Sequence, residues 1–260
     1  MERQSIFSTC RSGVCQVTLE QNRDRITAGT AFLVPGGLVT NSHVLRDFDY
    51  DVAHFRFDDM SGDQGIRLSK ETCLNSINHE SPSEEYDIAY LALAEPEFQG
   101  RHIFSFGEAT DLRVGDQIGF MGFPFQMPQL TCHIGYVSSI HQRGIVSVIQ
   151  IDGSVNGGNS GGPLLGLVDG CVRGVITRAE IGFIAKQFED LIRVLKENVK
   201  QLDQPRPKMI VGGVDPIQGL RASQATMLNI ASTLRRSANV GIGYAFSSDY
   251  IRERIYEIQA

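Results

Sequence analysis

Between Val14 and about Thr177 the chain alternates short apolar runs with glycine and proline, and no stretch there places apolar residues at helical spacing. The runs Val14 to Leu19, Thr30 to Val34, His54 to Phe57, Ile88 to Leu93, Gln117 to Met121, Gly135 to Ile140 and Val146 to Ile151 have the length and composition of strands. Pro35-Gly36-Gly37, Gly62, Gly100, Gly115, Pro124 and Gly144 part them; such residues fix φ or reach backbone angles that others resist. Many short strands with frequent turns predict a barrel or sandwich. The lack of a fixed-period repeat excludes propellers and solenoids.

After Arg178 the pattern changes. Ile184, Phe188, Leu191, Ile192, Leu195, Val199 and Leu202 lie on one face of a helix with charges between them, and Gln204-Pro205-Arg206-Pro207 ends it. A second helical pattern carries Leu220, Met227, Leu228, Ala231 and Leu234. A strand from Val240 to Phe246 follows, then a final helix capped at Ser247 or Ser248 with Tyr250, Ile251, Ile255 and Ile258 inward.

A chain of 260 residues is long enough for one large all-β domain or two small ones. Its 42% hydrophobic and 21% charged residues favour neither disorder nor a membrane class. A net charge of -6 without a concentrated basic stretch argues against nucleic-acid binding. The polar first residues lack the apolar run of a secretory signal, and no segment is long enough to span a bilayer, so a cytoplasmic protein without membrane contact is expected. The five cysteines, Cys10, Cys15, Cys73, Cys132 and Cys171, are odd in number and scattered. They are expected as reduced thiols, with no metal and no cofactor.

Hydrolysis of a peptide by a side-chain hydroxyl needs a base, an acid that orients the base, a nucleophile on a tight turn, and donors for the oxyanion. His43 ends the apolar run Gly37 to Ser42 among small residues; taken alone, a histidine at a strand end is more often a partly exposed structural residue. Asp87 opens the apolar run Ile88 to Leu93, where a carboxylate entering a core needs a partner such as an imidazole, although it also suits a cap on the turn Ser83 to Tyr86. The stretch Ile151-Asp152-Gly153-Ser154-Val155-Asn156-Gly157-Gly158-Asn159-Ser160-Gly161-Gly162-Pro163-Leu164 is more specific. Glycines on both sides of Ser160 let the hydroxyl be presented while the amides of Gly158 and Ser160 point at one spot. A phosphate cradle does not fit, because no Lys-Ser/Thr and no helix pattern follow.

These residues give the chain a clear resemblance to the trypsin-like fold in its HtrA-type, DegP-like branch. The matching stretches are Gly29 to Val34, Thr40 to Val44, Asp87 to Ala89, Leu112 to Asp116 with Gly122 to Phe125, Ile151-Asp152, Gly158 to Leu164, and Gly241 to Ala245, in family order. The resemblance implies an all-β single peptidase domain of two six-stranded antiparallel β-barrels, about 14–105 and about 106–177 with 240–246. It leaves 178–239 as a helical insertion in the second barrel and 247–260 as a C-terminal helix. It assigns Ser160 as nucleophile, His43 as base and Asp87 as its orienting acid, with Gly158, Asn159 and Ser160 forming the oxyanion hole. It places Gly243 to Ala245 on a strand that pairs with an extended protein or peptide substrate, and lets Ser154, Val155 and Tyr244 to Phe246 shape a pocket for small or medium apolar side chains.

Departures from the family also carry meaning. Digestive relatives have an aspartate before the nucleophile that pairs with a freed N-terminus; Asn159 cannot form that charged pair, so activation by N-terminal cleavage is not expected. Ile210-Val211-Gly212-Gly213 resembles such a freed terminus but lies downstream of Ser160 and reads as a turn. Neither the peptide-binding PDZ domain nor the trimer-building segment usual in HtrA proteins fits this length. The alternatives to an active endopeptidase are a silent pseudoprotease and a regulated effector that holds a protein partner through 178–239.

Overall fold

The computed structural model describes residues 3–22, 24–81, 85–144, 146–177, 183–204, 210, 215–237 and 241–259. Ser83 and Glu84 before Asp87, Arg178, the helix-ending Pro205 and Pro207, Val211-Gly212-Gly213 and Val240 lie outside them, as do the side chains of Ile184, Phe188, Leu234 and Ile258.

A short helix, α1 (Arg3–Cys10), precedes β1 (Val14–Gln21), where Cys15, Val17 and Leu19 point inward at strand period. β1 pairs antiparallel with β2 (Asp24–Val34), and Pro35-Gly36 turns the chain into β3 (Gly37–Thr40). Gly36 holds φ +78°, which a proline-glycine turn of this kind requires at its second residue. A helical turn α2 (Ser42–Arg46), β4 (Val52–Phe57), β5 (Ile66–Ser69), α3 (Lys70–Asn75), β6 (Ile77–Glu80) and β7 (Ala89–Ala92) follow. The seven strands form one sheet in the order β5-β4-β1-β2-β3-β7-β6.

The second sheet closes on itself. β8 (Gln117–Gly122), β9 (Thr131–Arg143), β10 (Val146–Asp152), β11 (Pro163–Gly166), β12 (Val172–Thr177) and β13 (Ile242–Ser247) form a barrel in the order β10-β13-β12-β11-β8-β9. Ile118, Phe120, Val137, Ile149, Ile151, Leu164, Ile176 and Ala245 fill its interior. The expectation of two six-stranded barrels therefore needs correction. The second is one, whereas the first is a curled seven-stranded sheet left open between β5 and β6 among the described residues. Closure requires the end strands to meet, and here they bond only to β4 and β7. The molecule is also mixed rather than strictly all-β, since α4 (Phe183–Leu202), α5 (Pro216–Ser237) and α6 (Asp249–Gln259) supply long helical segments.

A third cluster joins the two sheets: Phe32 and Val39 from the first, Met121, Val148, Leu165 and Val175 from the second, and Ile251 and Ile255 from α6. Residues 180–240 form a separate compact unit. Within it Asn198 Nδ2 donates to Gln224 Oε1 at 3.1 Å and Arg221 pairs with Asp203; partners whose numbers rise on one helix as they fall on the other make α4 and α5 antiparallel. Leu195 and Ala231 are buried in this unit, while Leu191, Val194, Met227 and Ile230 are exposed.

Candidate active site

β3 carries the chain to α2, and His43 stands in the first turn of that helix rather than at a strand end. Asp87 precedes β7 at φ +48°, a left-handed conformation that aspartate adopts more readily than most residues. The shape of this turn brings both carboxylate oxygens onto one residue. His43 N–H donates to Oδ1 at 2.9 Å and His43 Nδ1 donates to Oδ2 at 2.6 Å. A carboxylate can only accept, so the bond at Nδ1 puts the ring proton there and leaves the Nε2 lone pair as the basic site. Asn41 Nδ2 and Ser42 N–H hold the Asp87 carbonyl at 2.7 and 3.3 Å. Thr177 Oγ1, from β12 of the barrel, donates to Asp87 Oδ2 at 3.1 Å. Sequence reasoning missed Thr177, since a threonine ending a strand carries no signal of its own.

Ser160 lies in the turn between β10 and β11. A Cβ on the following Gly161 would lie 2.3 Å from Thr40 Oγ1 and 3.0 Å from Asn41 N, and Gly161 has φ +86°, so only glycine lets the turn lie against the residues leading into His43. His43, Asp87 and Ser160 are 5%, 4% and 5% exposed. His43 and Asp87 are thus bonded to each other, and the turn that carries the equally buried Ser160 lies against the residues leading into His43.

Four carbonyls of the turn are held in sequence. Phe125 N–H donates to Gly157 at 2.8 Å, Thr30 Oγ1 to Gly158 at 2.6 Å, Gly162 N–H to Asn159 at 3.0 Å, and Thr30 N–H to Ser160 at 2.8 Å. In a planar trans peptide the N–H points opposite to the C=O, so these bonds also aim the amides of residues 158 to 161. The Asn159 N–H is spent on Asn156 O at 3.0 Å. This narrows the expected oxyanion trio, as Asn159 brings no amide to it, whereas the Gly158 and Ser160 amides donate to no backbone acceptor among the described residues. Gly158 has φ +101°, and a Cβ there would strike Phe123 O at 2.1 Å.

The residues expected to receive substrate divide. Val155 and Ala245 pack in the barrel interior, while Phe246 belongs to the cluster between the sheets and Tyr244 packs against it. Ser154 is in the loop after β10, and a Cβ on Gly243 would come 2.3 Å from Val155 Cγ2. Tyr244, Ala245 and Phe246 pair with β10 on one side and β12 on the other. Their backbone groups are therefore committed, which corrects the expectation that an extended substrate adds itself to Gly243 to Ala245; of these, Gly243 alone is paired to β10 and not to β12. Among the described residues no group of three His, Cys, Asp or Glu side chains is placed to hold a metal ion.

The family model for the trypsin-like peptidase domain matches residues 29–175, more than half of the chain. A probable periplasmic serine endoprotease, DegP-like, of Chlamydia pneumoniae is 33% identical over 156 residues, covering 57% of this chain and 28% of that protein. Serine protease HTRA4 of Mus musculus is 28% identical over 224 residues, covering 81% of this chain and 41% of that one. The chain thus spans less than half the length of either relative. Among solved structures, the HtrA-type protease AlgW with a decapeptide superposes with a TM-score of 0.57 at 17% identity, over 99% of this chain and 68% of that one. At that identity the likeness speaks for the fold.

Proposed function

The chain belongs to the trypsin-like peptidase family, with HtrA-type serine proteases among its relatives, and from that premise we propose that it is a serine endopeptidase working through an acyl-enzyme. Ser160 attacks the scissile carbonyl, His43 Nε2 takes its proton and later returns it to the leaving amine, and Asp87 keeps the imidazole in the required tautomer. The amides of Gly158 and Ser160 receive the oxyanion. Water then releases the acyl group by the same groups in reverse. The observation that carries this reading is the bond from His43 Nδ1 to Asp87 Oδ2, with both partners buried. A buried carboxylate that accepts from an imidazole, an amide and a hydroxyl is expensive to assemble without a use for the imidazole.

Peptides or unfolded protein segments are the proposed substrates, in keeping with the decapeptide named with AlgW. Ser154, Val155, Gly243 and Tyr244 to Phe246 carry no charge, so small or medium apolar side chains suit the pocket they are proposed to shape. Asn159 in place of an acid argues for a mature site without N-terminal cleavage. The five unpaired cysteines suit a cytoplasmic setting, whereas the Chlamydia relative is named as periplasmic. A second reading, in which residues 178–239 hold a regulatory protein and turnover waits on it, is favoured by the exposed Leu191, Val194, Met227 and Ile230. Cleavage profiling of a peptide library by the protein and by Ser160→Ala tests the first reading: the profile should vanish with the serine, and cleavage that persists in the variant would refute it.

A further inference from the structure

Thr30 lies on β2 of the open sheet, fully buried, and none of the motifs for nucleophile, base or acid includes it. Its polar atoms are nonetheless directed at the catalytic turn and its support. The hydroxyl accepts from Phe123 N–H at 3.2 Å and donates to Gly158 O at 2.6 Å. The amide donates to Ser160 O at 2.8 Å, and the carbonyl accepts from Thr40 Oγ1 at 2.7 Å. Thr30 thereby clasps the two carbonyls that flank Asn159.

The geometry points to Thr30 as a positioning residue for the oxyanion hole, an inference that rests on the endopeptidase reading above. The two proposed donors belong to different peptide planes, Gly157–Gly158 and Asn159–Ser160. The plane between them, Gly158–Asn159, is the hinge on which their relative aim depends. Gly158 has the widest backbone freedom of any residue type, so without a restraint on its carbonyl its ψ could drift and turn one donor away from the other. The hydroxyl of Thr30 supplies that restraint at the carbonyl end of the plane, whose N–H end is held by Asn156 O at 3.0 Å. The hydroxyl accepts from the Phe123 amide, which keeps the proton off that side and leaves it for Gly158 O. A valine has nearly the same shape and can do neither. A serine keeps the hydroxyl and loses only the methyl.

The test uses a fluorophosphonate probe, separating the maximal inactivation rate from the half-saturating concentration, with thermal unfolding measured on every variant. Removal of one oxyanion donor costs roughly 10²- to 10³-fold in rate, and a donor that is present but misaimed should cost less. Thr30→Val is expected to slow the maximal rate by about 10- to 100-fold at an unchanged half-saturating concentration; Thr30→Ser is expected to stay within about threefold of the unaltered protein. A folded Thr30→Val protein that labels at the unaltered rate overturns the inference while leaving Ser160 as nucleophile. If Thr30→Val does not fold, Thr30→Ser decides: a folded serine variant within about threefold of the unaltered rate supports the inference, and one slowed tenfold or more overturns it, because keeping the hydroxyl would not keep the rate. An unaltered protein that never labels at Ser160 overturns the endopeptidase reading and the inference with it.

Discussion

At the scale of single residues the site depends on few bonds, each with a measurable share. Asp87 Oδ2 serves both His43 Nδ1 and Thr177 Oγ1. A hydrogen bond to a charged group is worth about 1.5–3 kcal/mol, so Thr177→Val should lower kcat/KM on a peptide substrate roughly tenfold and lower the unfolding temperature by several degrees. Unchanged kinetics would mean that His43 alone keeps Asp87 in place. Asp87→Asn should cost more, about 10⁴-fold, because an amide can donate to Nδ1 and so stabilise the wrong tautomer. Ser160 stands out in the sequence by its flanking glycines, whereas His43 and Asp87 are ambiguous taken alone and are singled out only by the order of the motifs that resemble the family. Thr30 and Thr177 were not legible, since threonine is an ordinary strand residue and its role depends on which strand lies opposite.

Among the elements, α2 matters most because it carries His43, the proposed base. Its Ser42 hydroxyl and Arg46 guanidinium both bond to Glu80 at the end of β6, with Arg46 Nε and Nη2 at 3.0 and 2.7 Å. Arg46 first, and Ser42 and charge attraction after it, hold the Glu80 carboxyl below its ordinary value of 4.5 against the opposing effect of burial. A depressed folded value means that this tie is fully present above the unfolded value and is lost as pH falls through the folded one. Between about pH 5 and pH 3 the unaltered protein should therefore lose stability more steeply than Glu80→Gln, as unfolding temperature against pH would reveal. Parallel curves would show that Glu80 contributes nothing to holding α2. The strands with long apolar runs were readable from the sequence; β5 and β6, four residues each with only two and one apolar side chains, were not. The open first sheet was unreadable for another reason. Closure is decided by whether distant edges meet, and local pattern carries no record of that.

For the whole molecule, the helical unit at 180–240 and the barrel are separable predictions. β12 and β13 are neighbours in the barrel, with Thr177 opposite Tyr244, so a hairpin loop of about two to five residues could replace the intervening chain. A variant with 178–241 replaced by such a loop should unfold cooperatively and still react at Ser160. A much faster reaction would favour a regulatory role for the helices, an equal one a passive role, and failure of the barrel to fold would contradict their independence. The central claim, that Ser160 is a nucleophile activated by His43 and Asp87, is tested most directly by fluorophosphonate labelling followed by mass spectrometry of the modified peptide. One adduct on Ser160 is expected, abolished in Ser160→Ala and slowed by orders of magnitude in His43→Ala. A folded protein that stays unlabelled, or that is labelled at another serine with Ser160→Ala unaffected, would contradict it.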